Sequence, residues 1–168
     1  MTIAQFDPQH CVAFFKVHTR VLLRAQGQFN SVSGELQGST QAGWRVLVRV
    51  DGRSLDFSGP TWMDRMTRSD EFLAIDRHPD IRFQSELFDN ATLHTGGRLR
   101  GELVLRGLKR PVGFQLAASS CARPGVDCDI RVSGSISRAE FGMNSHRFSL
   151  RDDVDLKFRV RLRAQASP

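Results

Sequence analysis

The chain has 168 residues, of which 40% are hydrophobic and 25% charged, and its formal net charge is +6. This length suits one domain with a sizeable core, residues 1–168, and the balance of apolar and charged residues excludes a chain that is disordered throughout. A positive charge suits nucleic acid or an anionic membrane, but the basic residues are scattered, which favours an ordinary basic surface.

The first ten residues, MTIAQFDPQH, are polar and include an acid. They lack the basic and apolar regions of a secretory signal peptide, and no apolar run approaches the roughly 20 residues that span a bilayer. The sequence therefore predicts a cytoplasmic protein if Met1 is the natural start, and a periplasmic one if the chain is a mature form.

Alternation of apolar and polar residues, the pattern of half-buried β-strands, dominates the chain. In the segment W-R-V-L-V-R-V, Trp44, Val46 and Val48 share one face, and the arginines point the other way. Strands are predicted at about 12–24, 28–37, 44–51, 80–88, 98–106, 110–118, 129–137 and 151–163. Eight strands with short connections favour an all-β fold, a lipocalin-like antiparallel β-barrel, with a β-sandwich as the main competitor.

One long connection, at about 58–78, interrupts the strand pattern. Pro60 suits the first position of a short helix, and Ser69, followed by two acids, has the context of a helix N-cap. Trp62, Met66 and Phe72 give the segment an apolar side. These features predict a short helical crossover that plugs or covers one end of the barrel.

The predicted inward faces carry almost no charge. An eight-stranded barrel is just wide enough to be filled by side chains or to hold one small ligand, so alternation alone leaves a solid core and a cavity equally open. Phosphates, sugars and ionic transition states need further polar groups in such an interior. Any ligand bound inside is therefore expected to be apolar.

Residues able to perform chemistry are few. No two of the five histidines have helical metal-ligand spacing, and no nucleophile elbow, phosphate loop or dinucleotide motif occurs. We therefore expect no catalytic residue, no metal and no cofactor other than a bound lipid, and a protein that is not an enzyme. Cys11 is expected to be buried in the core. Cys121 and Cys128 flank a turn, so a disulfide between them is one alternative, although a reducing cytosol argues against it.

Six segments, in order along nearly the whole chain, resemble the YceI family of bacterial polyisoprenoid-binding, lipocalin-like proteins. They are F-D-P-Q-H-C-V-A-F-F-K-V, G-Q-F-N-S-V-S-G-E-L, D-R-M-T-R-S-D-E-F-L-A-I-D-R-H-P-D-I-R-F-Q-S, G-E-L-V-L-R-G-L-K-R-P-V, I-S-R-A-E-F-G-M and R-D-D-V-D-L. The resemblance implies an extended lipocalin-like barrel, often dimeric. It also implies a long internal cavity for isoprenoid chains, such as polyprenyl phosphates or quinone tails, or for other long-chain amphiphiles.

Alternation and the resemblance together predict the ligand-binding residues. The apolar ones are Phe15, Val17, Trp44, Val46, Val48, Met66, Phe72, Phe83, Leu105, Phe114, Phe141 and Leu156. Arg68 is expected to contact an anionic head group, because a guanidinium matches the geometry of carboxylate or phosphate. Met66 and His78 replace a histidine and a tyrosine of the family pattern, so the head group itself is left open.

We therefore expect a protein that binds and sequesters or carries a long-chain apolar ligand of the isoprenoid, quinone-tail or fatty-amphiphile class. Its expected partners are that ligand, a second copy of the chain and a membrane from which ligand is exchanged, with no nucleic acid. The alternative is a basic β-barrel that binds single-stranded nucleic acid. That mode needs exposed aromatic residues among basic ones, whereas this chain has no Tyr and most of its Phe residues fall on inward faces.

Overall fold

The computed structural model describes residues 1–20, 24–146 and 149–163. Eleven strands follow one another in this part of the chain: β1 Thr2–Gln5, β2 Val12–Thr19, β3 Arg24–Phe29, β4 Val32–Ser39, β5 Gly43–Asp51, β6 Leu55–Ser58, β7 Asp80–Ser85, β8 Gly97–Leu105, β9 Leu108–Leu116, β10 Ile130–Ser137 and β11 Leu150–Val160. The α-helices are α1 Thr61–Arg68 and α2 Asn90–Thr95. Short 3-10 helices occupy Pro8–His10, Gly52–Ser54 and Ala139–Phe141. Neither α-helix is long and apolar enough to cross a membrane.

All strands belong to one antiparallel sheet in the order β1-β4-β5-β7-β8-β9-β10-β11-β2-β3-β6. The sheet curls around its apolar face, and Phe6 lies where distant parts of it meet. The backbone N–H of Phe6 donates to the carbonyl of Gly34 in β4 at 2.9 Å, and the same residue pairs with Leu162, just past β11. The predicted all-β, lipocalin-like architecture is confirmed, and one continuous sheet excludes the sandwich.

The number of strands is higher than the predicted eight. The predicted strands at 12–24 and 28–37 are three separate strands, β2, β3 and β4. The additional strands β1 and β6 have four residues each and lie at the two edges of the sheet order. Segments this short contain at most two residues per face, so alternation gives too weak a signal to identify them.

The predicted crossover at about 58–78 is confirmed as a short helix followed by turns. Helix α1 begins directly after Pro60. Ser69 ends this helix instead of starting another: its N–H and its hydroxyl both donate to the carbonyl of Met66, at 3.1 and 2.6 Å. Arg106, in the β8–β9 turn, fixes the segment by donating to the carbonyls of Asp70, at 2.6 Å, and Phe72. The crossover is thereby held against the sheet.

Helix α2 was not predicted. It connects β7 to β8 and ends at Gly96, whose φ of 77° lies in the left-handed region that favours glycine. No helix was predicted between the strands at 80–88 and 98–106. A helix of six residues is too short to be stable alone, so tertiary contacts must supply its stability.

The inward faces of the strands form one apolar core. Phe114 and Leu116 of β9 are fully buried, as are Leu99, Leu103 and Leu105 of β8, and the alternating residues between them face outward. This is the arrangement that period-two alternation predicts for a sheet with one dry face. The core is not continuous, however, because two cavities interrupt it.

Candidate ligand-binding cavity

The larger cavity, called here the main cavity, has a volume of about 330 Å³. That volume lies at the lower limit of roughly 300–1,000 Å³ typical of small-molecule sites. Strands β2, β3, β5, β7, β8, β10 and β11 form its wall. Helix α1, residues 72–73 and four residues of the β10–β11 loop, Arg138, Met143, His146 and Ser149, complete it. Its lining is almost wholly apolar.

Six of the predicted ligand-binding residues line the main cavity: Phe15, Val17, Met66, Phe72, Leu105 and Leu156. Alternation along β2, β8 and β11 turns four of them inward, and the crossover contributes Met66 and Phe72. The structure therefore brings these residues together around one space. Their contact with a ligand stays a prediction.

A second cavity of about 60 Å³ lies further along the interior, and four other predicted residues line it: Val46, Val48, Phe83 and Phe114. Phe158 lines both cavities. Its ring packs edge-on against that of Phe114 at 5.6 Å, and Phe114 packs in the same way against Phe83 at 5.2 Å. This aromatic partition, Phe83, Phe114 and Phe158, separates the two spaces.

Gly134 of β10 makes room for the partition. A Cβ atom at this position would lie only 2.4 Å from Cδ1 of Phe114. Any larger residue would therefore push the Phe114 ring out of its place. The glycine thus determines where the partition stands.

Trp44 and Phe141 line neither cavity. The Trp44 indole N–H donates to the Asn90 side-chain oxygen at 3.0 Å, which joins β5 to the start of α2. Phe141, in the 3-10 helix after β10, is completely buried. The hydrogen bond of Trp44 and the complete burial of Phe141 indicate packing roles. A side chain that is predicted to point inward therefore does not always line a cavity.

Arg68 also lies away from the main cavity. Its Nε donates to Asp64 Oδ1 at 2.6 Å, within one turn of α1, and its Nη2 donates to the carbonyl of Leu55 at 2.7 Å. These bonds fasten α1 to β6. The expected contact of Arg68 with a head group stays a prediction, and the structure gives this guanidinium other partners.

Another arginine, Arg138, does line the main cavity and was not singled out from the sequence. It follows the last residue of β10 and is only 2% exposed. Its two terminal nitrogens donate to the carbonyl of Ser145, at 3.1 and 2.7 Å, and its guanidinium carbon lies 5.4 Å from the centre of the Phe72 ring. A sequence signal existed, since Arg138 stands two residues after Ile136, an apolar residue of the predicted strand at 129–137, and alternation places both on one face.

Besides Arg138, four other residues with polar side chains line the main cavity. They are Thr19, Thr67, His146 and Ser149. The His146 ring stacks on Phe72, with centres 5.9 Å apart, and its Nε2 lies 3.2 Å from Glu71 Oε2. The polar part of the lining thus comes mainly from the crossover and the β10–β11 loop.

The outer edge of the main cavity includes an exposed aromatic residue. Trp62 of α1 lines the cavity and is 59% exposed. Its neighbour on the helix, Met63, also lines the cavity and is half-buried. Helix α1 therefore presents apolar surface both to the cavity and to the exterior.

Among the described residues, one group has the geometry of metal ligands. Atoms of His18, Asp153 and Asp155 lie within 4.8 Å of one another. These side chains project from β2 and β11 and are partly exposed, and His18 Nε2 already lies 2.7 Å from Asp155 Oδ2. The expectation that the protein holds no metal stays a prediction.

The cysteines lie apart from the cavities. Cys121 and Cys128 form a disulfide in the β9–β10 loop. Within that loop, Arg123 pairs with Asp127 at 2.9 Å, and its side chain holds the pKa of the Asp127 carboxyl below its usual range. Cys11 is free and buried, and its burial raises the pKa of its thiol.

Solved structures with this fold come from several bacteria. Burkholderia cenocepacia BcnA superimposes with a TM-score of 0.74 at 15% identity, covering 92% of this chain and 98% of BcnA. A polyisoprenoid binding domain from Saccharophagus degradans, implicated in plant cell wall breakdown, gives 0.69 at 12% identity and covers 97% and 98% of the two chains. A Campylobacter jejuni YCEI protein gives 0.65 at 18% identity, covering 83% and 85%. At these identities the likeness establishes the fold alone.

Sequence comparison gives the family. No curated protein sequence matches this chain. The model of the YceI-like domain, in contrast, matches residues 5–162. That range includes every strand from β2 to β11 and both cavities, and it confirms the resemblance seen in the six sequence segments. The chain is a member of the YceI-like domain family.

Proposed function

We propose that this protein binds one long-chain apolar molecule in the main cavity and sequesters or carries it. The observation that carries the proposal is the apolar lining of a cavity enclosed by the sheet and the crossover. Burial of apolar surface contributes about 25 cal/mol per Å², or roughly 0.8 kcal/mol for each CH₂. Affinity should therefore rise with tail length until the cavity is full.

The same lining supports the proposed ligand class. Isoprenoids, quinone tails and fatty amphiphiles all have a flexible apolar chain, and the related domain from Saccharophagus degradans is a polyisoprenoid binding domain. Family membership and the apolar lining support such ligands for this chain. These ligand classes differ in their head groups, so recognition of the head group determines which class binds.

Ligand exchange with a membrane is part of the proposal. Tryptophan side chains favour the interface between lipid and water, and Trp62 lies exposed at the edge of the main cavity. Arg65, on the same helix, is also exposed and would favour anionic lipid head groups. We propose that α1 contacts the membrane when an apolar tail enters or leaves.

A homodimer and an oxidising location complete the proposal. The homodimer rests on the family resemblance, and light scattering that shows only monomer at micromolar concentration would remove it.

The Cys121–Cys128 disulfide supports the periplasm over a reducing cytosol. Alkylation of the protein directly in its host cells, followed by mass spectrometry, should find both cysteines oxidised; two free thiols would favour the cytosol.

Native mass spectrometry of the purified protein, followed by organic extraction, tests the proposed function. We expect one long-chain molecule per chain that disappears on extraction, and uptake of an added long-chain amphiphile by the extracted protein. A folded protein that neither retains nor takes up such a molecule would overturn the proposal.

A further inference from the structure

Arg138 is a buried cation in the lining of a largely apolar cavity. Its side chain is 2% exposed, and in the described parts of the chain no carboxylate oxygen lies within 4.0 Å of its guanidinium. Asp152 is near enough to act on it electrostatically. However, the Asp152 carboxylate accepts hydrogen bonds from the Ala139 N–H at 2.9 Å and from the Ser137 hydroxyl.

The hydrogen-bonding capacity of Arg138 is only partly used. A guanidinium has five N–H donors, and the two hydrogen bonds that Arg138 donates to described residues share one acceptor, the carbonyl of Ser145. Nε is buried and has no hydrogen-bond partner among the residues that the structure describes. A buried donor without an acceptor costs about 1–3 kcal/mol, and a charged one costs more. The site therefore gains stability from a ligand that brings an acceptor.

Burial of the Arg138 charge likewise favours a ligand that compensates it. Desolvation lowers the pKa of the Arg138 guanidinium from its ordinary value, and Asp152 partly opposes this effect. Arginine nevertheless stays charged in proteins. The neighbouring rings do not neutralise it, since Phe72 offers only its π-face and His146 is directed toward Glu71.

We infer that Arg138 is the head-group anchor of the cavity and that the ligand is an amphiphile with an anionic head, a carboxylate or a phosphate. This inference rests on the proposed function and specifies its ligand. The planar guanidinium suits the oxygens of either head group. The tail then lies along Phe15, Val17, Leu105 and Leu156.

The test uses three competitors with the same tail: myristate, tetradecyl phosphate and tetradecanol. Each displaces a neutral fluorescent long-chain probe from the wild-type protein, from Arg138→Gln and from Arg138→Lys, at a pH at which the acid is ionised. Arg100→Gln is the matched control, because it removes the same charge from the exposed face of β8. Arg68→Gln tests the arginine predicted from the sequence.

We expect the wild-type protein to prefer at least one of the two anions over the alcohol by roughly tenfold to a hundredfold, the usual effect of a hydrogen bond to a charged group. Arg138→Gln should lose this preference and still bind the alcohol, Arg138→Lys should keep part of it, and Arg100→Gln should keep all of it. Which anion is preferred identifies the head group.

Equal affinities of the wild-type protein for anions and alcohol would overturn the inference and leave the proposed function standing. So would a preference that survives in Arg138→Gln or disappears in Arg68→Gln instead. If Arg138→Gln does not fold, the ratio of anion to alcohol affinity in the wild-type protein and in Arg138→Lys still tests the inference. Failure of the wild-type protein to bind any of the three tails would overturn the proposed function itself.

Discussion

Phe158 lines both cavities, and we predict that its ring limits how far a ligand reaches into the protein. We predict that Phe158→Ala joins the two spaces and shifts the preference toward longer tails. Titration with a series of fatty alcohols of increasing length measures this shift. Lys157→Ala, on the outward face of the same strand, is the control.

The expected result is an affinity that stops rising at a longer tail in Phe158→Ala than in the wild-type protein. Truncation of a fully buried Phe costs about 3–5 kcal/mol of stability. Phe158 is partly buried, so we expect a smaller loss, and unfolding must be followed in parallel. Phe158→Leu is the milder variant. An unchanged length limit in both folded variants would show that the partition does not determine tail length.

Cys11 provides a pH-dependent prediction. Its thiol is buried just past the end of β11, where Sγ donates to the carbonyl of Arg161 at 3.4 Å, and burial raises its pKa. Near pH 8.5, about the ordinary pKa of cysteine, the folded protein should therefore react slowly with iodoacetamide, and the unfolded chain fast. The stabilising effect of the neutral thiol is present below the unfolded pKa and is lost as the pH rises through the folded one.

Mass spectrometry of the alkylated protein measures this reaction. Because Cys121 and Cys128 are bonded to each other, label on the unreduced protein reports Cys11. Rapid labelling of the folded protein at neutral pH would contradict the burial on which the prediction rests.

Side-chain direction was largely predictable from the sequence, whereas the position of the empty space was not. Phe15, Val17 and Leu105 follow from alternation, and all three line the main cavity. The same rule applied to Arg138 gives an inward residue, but its charge argues for the surface. Its burial depends on the β10–β11 loop, whose path alternation does not describe.

Helix α1 is the element that connects the cavity with the exterior. We predict that Trp62→Ser slows transfer of a fluorescent fatty amphiphile from anionic vesicles several-fold, because the interfacial side chain is removed. Trp62→Phe should recover most of the rate. Stopped-flow fluorescence gives the transfer rate, and titration with the same amphiphile in solution gives the affinity.

The contrast between rate and affinity separates a membrane contact from a role in the cavity wall. If Trp62→Ser lowers the affinity and slows transfer only in proportion to that loss, the result would contradict the proposed membrane contact. An equal rate from neutral and anionic vesicles would show that Arg65 contributes no attraction to the lipid surface.

The elements that the sequence did not predict are those whose stability comes from distant contacts. Strands β1 and β6 are four residues long, and α2 has six. Trp44 joins β5 to α2 through Asn90, a contact across 46 residues that local pattern cannot contain. By contrast, β8 and β9 have nine residues each with clear alternation, and both were predicted nearly to their ends.

At the scale of the whole molecule, the sheet creates an apolar interior inside a basic surface. Tail binding depends on burial and should change little with salt, since screening acts mainly on exposed charges. Binding of single-stranded nucleic acid would instead weaken steeply between about 50 and 200 mM salt. The salt dependence therefore separates an interior site from the basic exterior.

The measurement that tests the central claim most directly is a titration of a fluorescent long-chain probe against Val17→Trp and Lys16→Trp. These neighbours on β2 differ in the face they occupy: Val17 lines the main cavity, and Lys16 does not. We predict that Val17→Trp fills the cavity and lowers affinity at least tenfold. Lys16→Trp should bind like the wild-type protein at both low and high salt. Equal affinity of both folded variants, or binding lost only in Lys16→Trp, would contradict a site inside the sheet.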